Sequence, residues 1–210
     1  MSHLLNIKQN QIKMIRARGY DVSEDEWILD TDYKQLKKRL IKKHGDYPLR
    51  KLLFSEYHKL DSNVKPLFVY YLGLKEGKQI KLEAIDSFIA KMVEEDKEGI
   101  LIINSVLSPS ALKRLSIITE SKYQIFQEHD FVFDLINHFM VPKHELMSPA
   151  EVAALKKKVM VLPKGGLAVI PSTDVVAQYY NFPIGSYIKL TSESETDLLF
   201  NQIINYCIVV

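Results

Sequence analysis

Asp61, followed at a distance by Glu76, Gly77 and Lys78, is the pattern in this sequence that comes nearest to enzyme chemistry. Two carboxylates and a lysine in that order suit a metal-dependent nuclease. The carboxylates would hold Mg²⁺ and the lysine would support a water nucleophile. That arrangement needs Glu and Lys on one strand face, with an apolar residue between them. Here the middle residue is glycine within LKEGKQ, which reads as a loop. Nuclease chemistry therefore stands as an alternative reading only. The histidines are His3, His44, His58, His129, His138 and His144, with no HxH or HExxH spacing. Convergence of His129, His138 and His144 has no periodicity behind it. Cys207 is the only cysteine, so neither CxxC nor an intrachain disulfide is possible. GxGxxG, Walker and GxSxG patterns are missing, and Lys164-Gly165-Gly166 reads as a connector. The expectation is no catalytic residue, no metal site and no cofactor.

Two basic features could instead meet phosphate. Ser108-Pro109-Ser110-Ala111 follows an apolar run and opens a predicted helix, with Ser108 as N-cap and Pro109 at the first helical position. A helix start offers backbone N–H groups and a positive dipole end. Ser110 adds a hydroxyl, and Lys113 and Arg114 follow one turn later. An ordinary capped helix with solvated cations would look the same. The second feature is residues 34–51, with eight Lys or Arg against one Asp. It reads either as a solvated helix face or as a polyanion contact.

The elements that must position these residues fall into two groups. Helices are predicted from about Asn6 to Arg18, stopped by Gly19, and from Thr31 or Asp32 to Gly45, with Leu36 and Leu40 inward. Ser23 and Glu26 fit a capping box for a short helix between them. LLFSEY, PLFVYYL and GILIIN read as strands, with the helix IKLEAIDSFIAKMVEED between the last two. Strand, helix, strand suggests a βαβ unit. Residues 1–140 thus read as an α/β domain. Val141-Pro142-Lys143-His144 marks the boundary, and 141–210 reads as a small α+β module. Ser148 and Pro149 open its first helix. Asp174 caps a very short helix, Asn181 suits a left-handed end, and Phe182-Pro183-Ile184-Gly185 suits a turn before the strand SYIKL. IINYCIVV is the last strand.

The chain of 210 residues is 47% apolar and 26% charged, with net charge +2. The excess sits in residues 1–140; residues 141–210 balance to zero. No apolar run approaches the roughly 18 residues of a membrane span. MSHLLNIKQNQIKMIR has no apolar core or cleavage site of a secretory signal. A lone cysteine fits an intracellular setting.

The order of these motifs resembles the fifth subunit of eukaryotic RNA polymerases, whose C-terminal part has a smaller archaeal counterpart. Asp174, Ala177, Tyr179, Tyr180, Gly185 and Lys189 match the family pattern without a gap. Ser194-Glu195-Thr196 matches its Ser-Glu-Thr, and Tyr206 with Val209-Val210 resembles its ending. Val141-Pro142-Lys143-His144 resembles the opening of the C-terminal module. Arg18-Gly19-Tyr20 with Asp25-Glu26 matches the first-helix region, and Ser108-Pro109-Ser110-Ala111 matches a Thr-Pro-Ser-Ala loop. The family arginine and glycine of the short helix are Gln178 and Asn181 here. Leu167-Ala168-Val169-Ile170 replaces a Leu-Pro-Arg-Ile run, and the link at 197–203 is longer. Such departures fit a fast-diverging copy, as encoded by large cytoplasmic DNA viruses.

The resemblance implies a non-catalytic polymerase subunit with an N-terminal jaw domain and a C-terminal assembly module. The jaw would lie by downstream duplex DNA through Ser108, Pro109, Ser110, Ala111, Lys113 and Arg114. The module would dock on the largest subunit, near subunit six, through His144, Asp174, Tyr179, Tyr180, Gly185, Lys189, Ser194, Glu195 and Thr196. The setting would be the nucleus for a cellular subunit, or host cytoplasm and virion for a viral one. A free-standing DNA-binding regulator is the other alternative.

Overall fold

The computed structural model describes residues 3–59, 64–74, 78–117, 123–159, 167–193 and 202–210. The chain divides into two compact units, Met1–Phe133 and Asp134–Val210.

The first unit is built on a four-stranded sheet in the order β1-β2-β3-β4: Ser55–Tyr57, Leu67–Leu72, Glu98–Ile103 and Tyr123–Gln127. Strand β1 runs antiparallel to β2, whereas β2, β3 and β4 are parallel. Parallel neighbours need a crossover, and helix α4 (Leu82–Glu94) supplies it between β2 and β3. The βαβ expectation therefore holds. Ile85, Phe88 and Met92 of α4 pack with Phe68, Leu101 and Ile103 of the strands. Gly99 permits this approach, since a Cβ there would meet Phe88 Cζ at 2.6 Å. Helix α5 (Pro109–Ile117) adds Ala111 to the same core.

Helix α1 (His3–Ala17) buries Ile7, Ile12, Met14 and Ile15 and stops at Gly19, whose φ is 80°. Helix α2 (Tyr33–His44) starts on Asp32, which accepts the Gln35 N–H at 2.8 Å, and ends at Gly45 with φ 91°. Leu36 and Leu40 are its buried residues, as the spacing predicts.

Two local expectations are corrected. LLFSEY is a strand only from Ser55; Leu52 ends the helical turn α3 (Leu49–Leu52), and Leu53 and Phe54 link the two. Pro48 leads into that turn, and Lys51 N–H bonds Pro48 O at 2.8 Å. Arg50 in the turn forks onto Glu128 at 2.6 and 3.0 Å. Ser23 is not an N-cap either. Its hydroxyl donates to Asp21, and the short 3-10 turn Glu26–Ile28 starts at Asp25 with no side-chain cap.

The second unit is a four-stranded sheet in the order β5-β7-β8-β6: Lys143–Leu146, Tyr187–Glu193, Gln202–Val209 and Ala168–Ile170. Only the β6–β8 pair is parallel. Helices α6 (Pro149–Val159) and α7 (Val175–Tyr180) complete it. Ser148 and Glu151 form a reciprocal capping box at the start of α6. Ile188, Cys207 and Val209 form a buried cluster flanked by Ile170, Phe182 and Leu190, and Leu155, Val176 and Ala177 are buried as well. Among the described residues no helix is long and apolar enough to cross a membrane.

Candidate interaction sites

In the second unit, α7 is shaped at both ends by its sequence. Asp174 accepts the N–H groups of Val176 at 2.8 Å and Ala177 at 3.2 Å. Asn181 takes the left-handed conformation (φ 54°, ψ 47°), and Phe182 N–H returns to Ala177 O. The turn that follows closes with Ser186 N–H on Pro183 O, and Gly185 has φ 84°. Gly185 N–H bonds Val209 O at 2.8 Å, and Ser172 N–H bonds Val210 O at 2.7 Å. These bonds bring the helix, the turn and the end of β8 together. Exposed apolar side chains gather there: Val175, Ile184 at 73% exposure, and Val210 at 53%. Tyr179, Tyr180 and Phe182 form a run of ring contacts, each with centroids 5.1 Å apart.

Strand register puts Glu145 opposite Lys189 and Lys189 opposite Tyr206, so these three share one sheet face. Lys143 Nζ lies 2.7 Å from Glu145 Oε1. That hydrogen bond holds the Glu145 carboxyl below its ordinary range. On the other face, His144 lies opposite Leu190, and its Nδ1 is 2.6 Å from Pro142 O. Thr191 Oγ1 is buried without a hydrogen-bond partner among the described residues. Of the expected assembly residues, Asp174 and Gly185 shape the backbone, while the tyrosines and Lys189 present side chains. Ser194, Glu195 and Thr196 lie outside the described residues, as do Asp61, Glu76 and Gly77 of the nuclease pattern and Lys164 to Gly166.

In the first unit, Ser108 caps α5 as its sequence predicts. Its Oγ accepts the Ala111 N–H at 3.3 Å, and its O accepts the Leu112 N–H. Ser108 N–H bonds Ile80 O, which ties the loop to the entrance of α4. Pro109, Ser110, Lys113 and Arg114 are exposed, but Ala111 belongs to the core. Arg114 Nε donates to Asp86 Oδ1 at 3.0 Å. Its charge is therefore partly answered within the fold.

Sequence reasoning misses a buried polar cluster. Lys8 Nζ bonds Gln11 Oε1, Leu53 O, Ser55 Oγ and Tyr57 OH, and lies 3.0 Å from Asp25 Oδ2. Ser55 and Tyr57 also donate to Asp25, at 2.5 and 2.6 Å, and Tyr71 OH donates to Gln11. Burial alone would lower the Lys8 ammonium, but Tyr57 and Asp25 outweigh it and hold its pKa above the ordinary value. Burial would raise the Asp25 carboxyl, but Lys8, Ser55 and Tyr57 hold it below. Both partners stay charged, and the surrounding donors and acceptors complete the pair. The cluster clasps α1, the loop after it and β1; it presents no free nucleophile. A signal exists: Lys8, Gln11, Ile12 and Ile15 form one helical stripe, so Lys8 falls on the buried side. The cluster floors a cleft of about 480 Å³ whose rim includes Trp27, Arg39 and Lys43. Arg39 stacks over the Trp27 ring at 4.0 Å. Among the described residues no three His, Cys, Asp or Glu side chains are grouped to hold a metal ion.

Residues 133–206 match the family described as RNA polymerase Rpb5, C-terminal domain. The chain is 26% identical over 192 residues to DNA-directed RNA polymerase V subunit 5A of Arabidopsis thaliana, covering 90% of this chain and 81% of the relative. It is 28% identical over 190 residues to subunit 5B of RNA polymerases IV and V from the same plant, covering 90% and 82%. Similarity to subunit RPABC1 of RNA polymerases I, II and III from Caenorhabditis elegans is 27% over 202 residues, covering 92% and 90%.

Proposed function

We infer, from the chain's place in the RNA polymerase Rpb5 family, that it is a non-catalytic subunit of a multisubunit DNA-directed RNA polymerase. Its second unit, with 141–210 as the working segment, is an assembly module that docks on the largest subunit, near subunit six. Residues 1–140 are a jaw domain beside downstream duplex DNA. Cellular copies would act in the nucleus; a viral copy would act in host cytoplasm and travel in the virion.

One observation carries this reading. Among its described residues, the second unit exposes apolar side chains where α7, the turn and β8 meet. A small neutral unit with such a patch is suited to pack on another protein. Its rigid capping keeps that patch in one shape, which reduces the ordering cost of binding. The capped start of α5 supports a backbone contact with DNA, since N–H groups at a helix end suit phosphate.

The test is co-purification of the tagged full chain with polymerase subunits. Ile184→Glu and Val210→Glu together should leave the fold intact and abolish recovery of the largest subunit. Full recovery with that variant would move the docking surface elsewhere.

A further inference from the structure

Helix α2 carries six Lys or Arg in 12 residues and no acidic residue. Lys34, Lys37, Lys38, Lys42 and Lys43 are all exposed, and none forms an ion pair among the described residues. Several cations elsewhere in the unit are paired. Arg16 pairs with Glu26, Arg50 with Glu128, Lys97 with Glu56, and Arg114 with Asp86. The fold answers those charges and leaves the α2 charges unanswered.

The arrangement is also unfavourable for the helix itself. Lys34 and Lys38, Lys38 and Lys42, and Arg39 and Lys43 are like charges one turn apart, which repel. Lys42, Lys43 and His44 at least suit the negative end of the helix dipole. Lys34 lies in the first turn, at the positive end, where the Asp32 cap is the acidic residue at hand and already accepts the Gln35 N–H. An anionic partner would relieve all of these terms together.

The helix is held so that the stripe faces outward. Leu36 and Leu40 are buried, and Arg39 is fixed on the Trp27 ring. Lys38 stands about 200° round the helix from Leu36, at 3.6 residues per turn. Lys34, Lys38 and Lys42 then advance about 6 Å at each step. A row of evenly spaced, unpaired ammonium groups suits a polyanion rather than a single small anion. The stripe holds no aromatic residue, so it lacks the platform on which single-stranded bases stack.

We propose that the Lys34–Lys38–Lys42 stripe of α2, with Lys37 and Lys43 beside it, binds the phosphate backbone of duplex DNA. This face is separate from the start of α5. The inference rests on the polymerase reading only for a duplex being at hand. Binding is measured on the isolated full chain and assembly by co-purification, so either can fail alone.

The experiment measures binding of the purified full chain to a short fluorescent duplex at several low salt concentrations. Lys34→Gln, Lys38→Gln and Lys42→Gln together should reduce the log–log salt slope by about 2 to 3, at about 0.9 per phosphate contact. Arginine at the same three positions should keep the slope. Lys113→Gln with Arg114→Gln should leave most of it. Circular dichroism should show the glutamine variant folded, because it loses repulsion and no packing. An unchanged slope in the glutamine variant overturns the proposal. So does a slope lost only in the Lys113 and Arg114 variant, which would favour the α5 start. Competition by polyglutamate as effective as duplex of equal charge would overturn the duplex in favour of an acidic protein segment.

Discussion

Lys8 Nζ lies 3.0 Å from Asp25 Oδ2, with the lysine side chain 1% exposed and the carboxylate 18%. Taking two charges out of water is costly, and the return depends on every remaining donor and acceptor being satisfied. Ser55, Tyr57, Gln11 and the Leu53 carbonyl meet that requirement. The pair therefore fixes where the loop carrying Asp25 sits on α1 and on the edge strand β1.

Removing one partner should be severe. Asp25→Ala leaves a buried ammonium uncompensated and should destabilise by about 3–5 kcal/mol. In a double-mutant cycle with Lys8→Met, the coupling should be about 0.5–3 kcal/mol. Urea denaturation of the full chain and variants measures both. A fully additive cycle would mean the two side chains act independently.

The same pair predicts the pH profile. Asp25 is depressed in the folded state, so its contribution is present above the unfolded value of about 3.9. It is lost as pH falls through the lower folded value. Lys8 is raised, so its contribution is present below about 10.4 and lost as pH rises through the higher folded value. Stability against urea should therefore hold between these limits and fall outside them. Asp25→Asn should lower the plateau and flatten the acid limb.

How much of the fold is legible in sequence depends on the range of each interaction. The ends of α7 are readable because Asp174, Asn181 and Gly185 act on their own backbone within a few residues. The βαβ unit is readable because β2, α4 and β3 each bury a local pattern. Leu52 reads as the start of a strand yet ends a helical turn whose Arg50 is tied to Glu128, far along the chain. Ser23 reads as a cap, but its hydroxyl prefers Asp21, while Asp25 is drawn into the cluster with Lys8. The cluster itself escapes sequence reading because a lysine in a helical pattern is ordinarily assigned to solvent. The exposed residues of the proposed phosphate and docking sites are a different case, since such roles would depend on partners.

Helix α7 offers a local test. Asp174→Ala removes the acceptor for two N–H groups and should cost about 1 kcal/mol. Asn181→Gly should be neutral or mildly stabilising, since glycine enters the left-handed region without a Cβ penalty. Thermal melts of the full chain would compare the two. A destabilising glycine would show that the Asn181 side chain has a role beyond its backbone angle.

Thr191 gives the last prediction. Its hydroxyl is buried without a hydrogen-bond partner among the described residues, on the strand that pairs with both β5 and β8. An unsatisfied buried hydroxyl costs about 1–3 kcal/mol relative to a satisfied one. Valine keeps the branched shape and removes the polar atom, and it suits a strand. Thr191→Val should therefore leave stability unchanged or raise it by about 1 kcal/mol. The position also separates folding from assembly. If the buried hydroxyl shapes the strand that the docking surface rests on, Thr191→Val will stabilise the free chain and weaken recovery of the polymerase. If it serves only the fold, recovery will match the unsubstituted chain. A loss of stability in the free chain would contradict both outcomes and show that Thr191 is satisfied in solution, by water or by a neighbouring side chain.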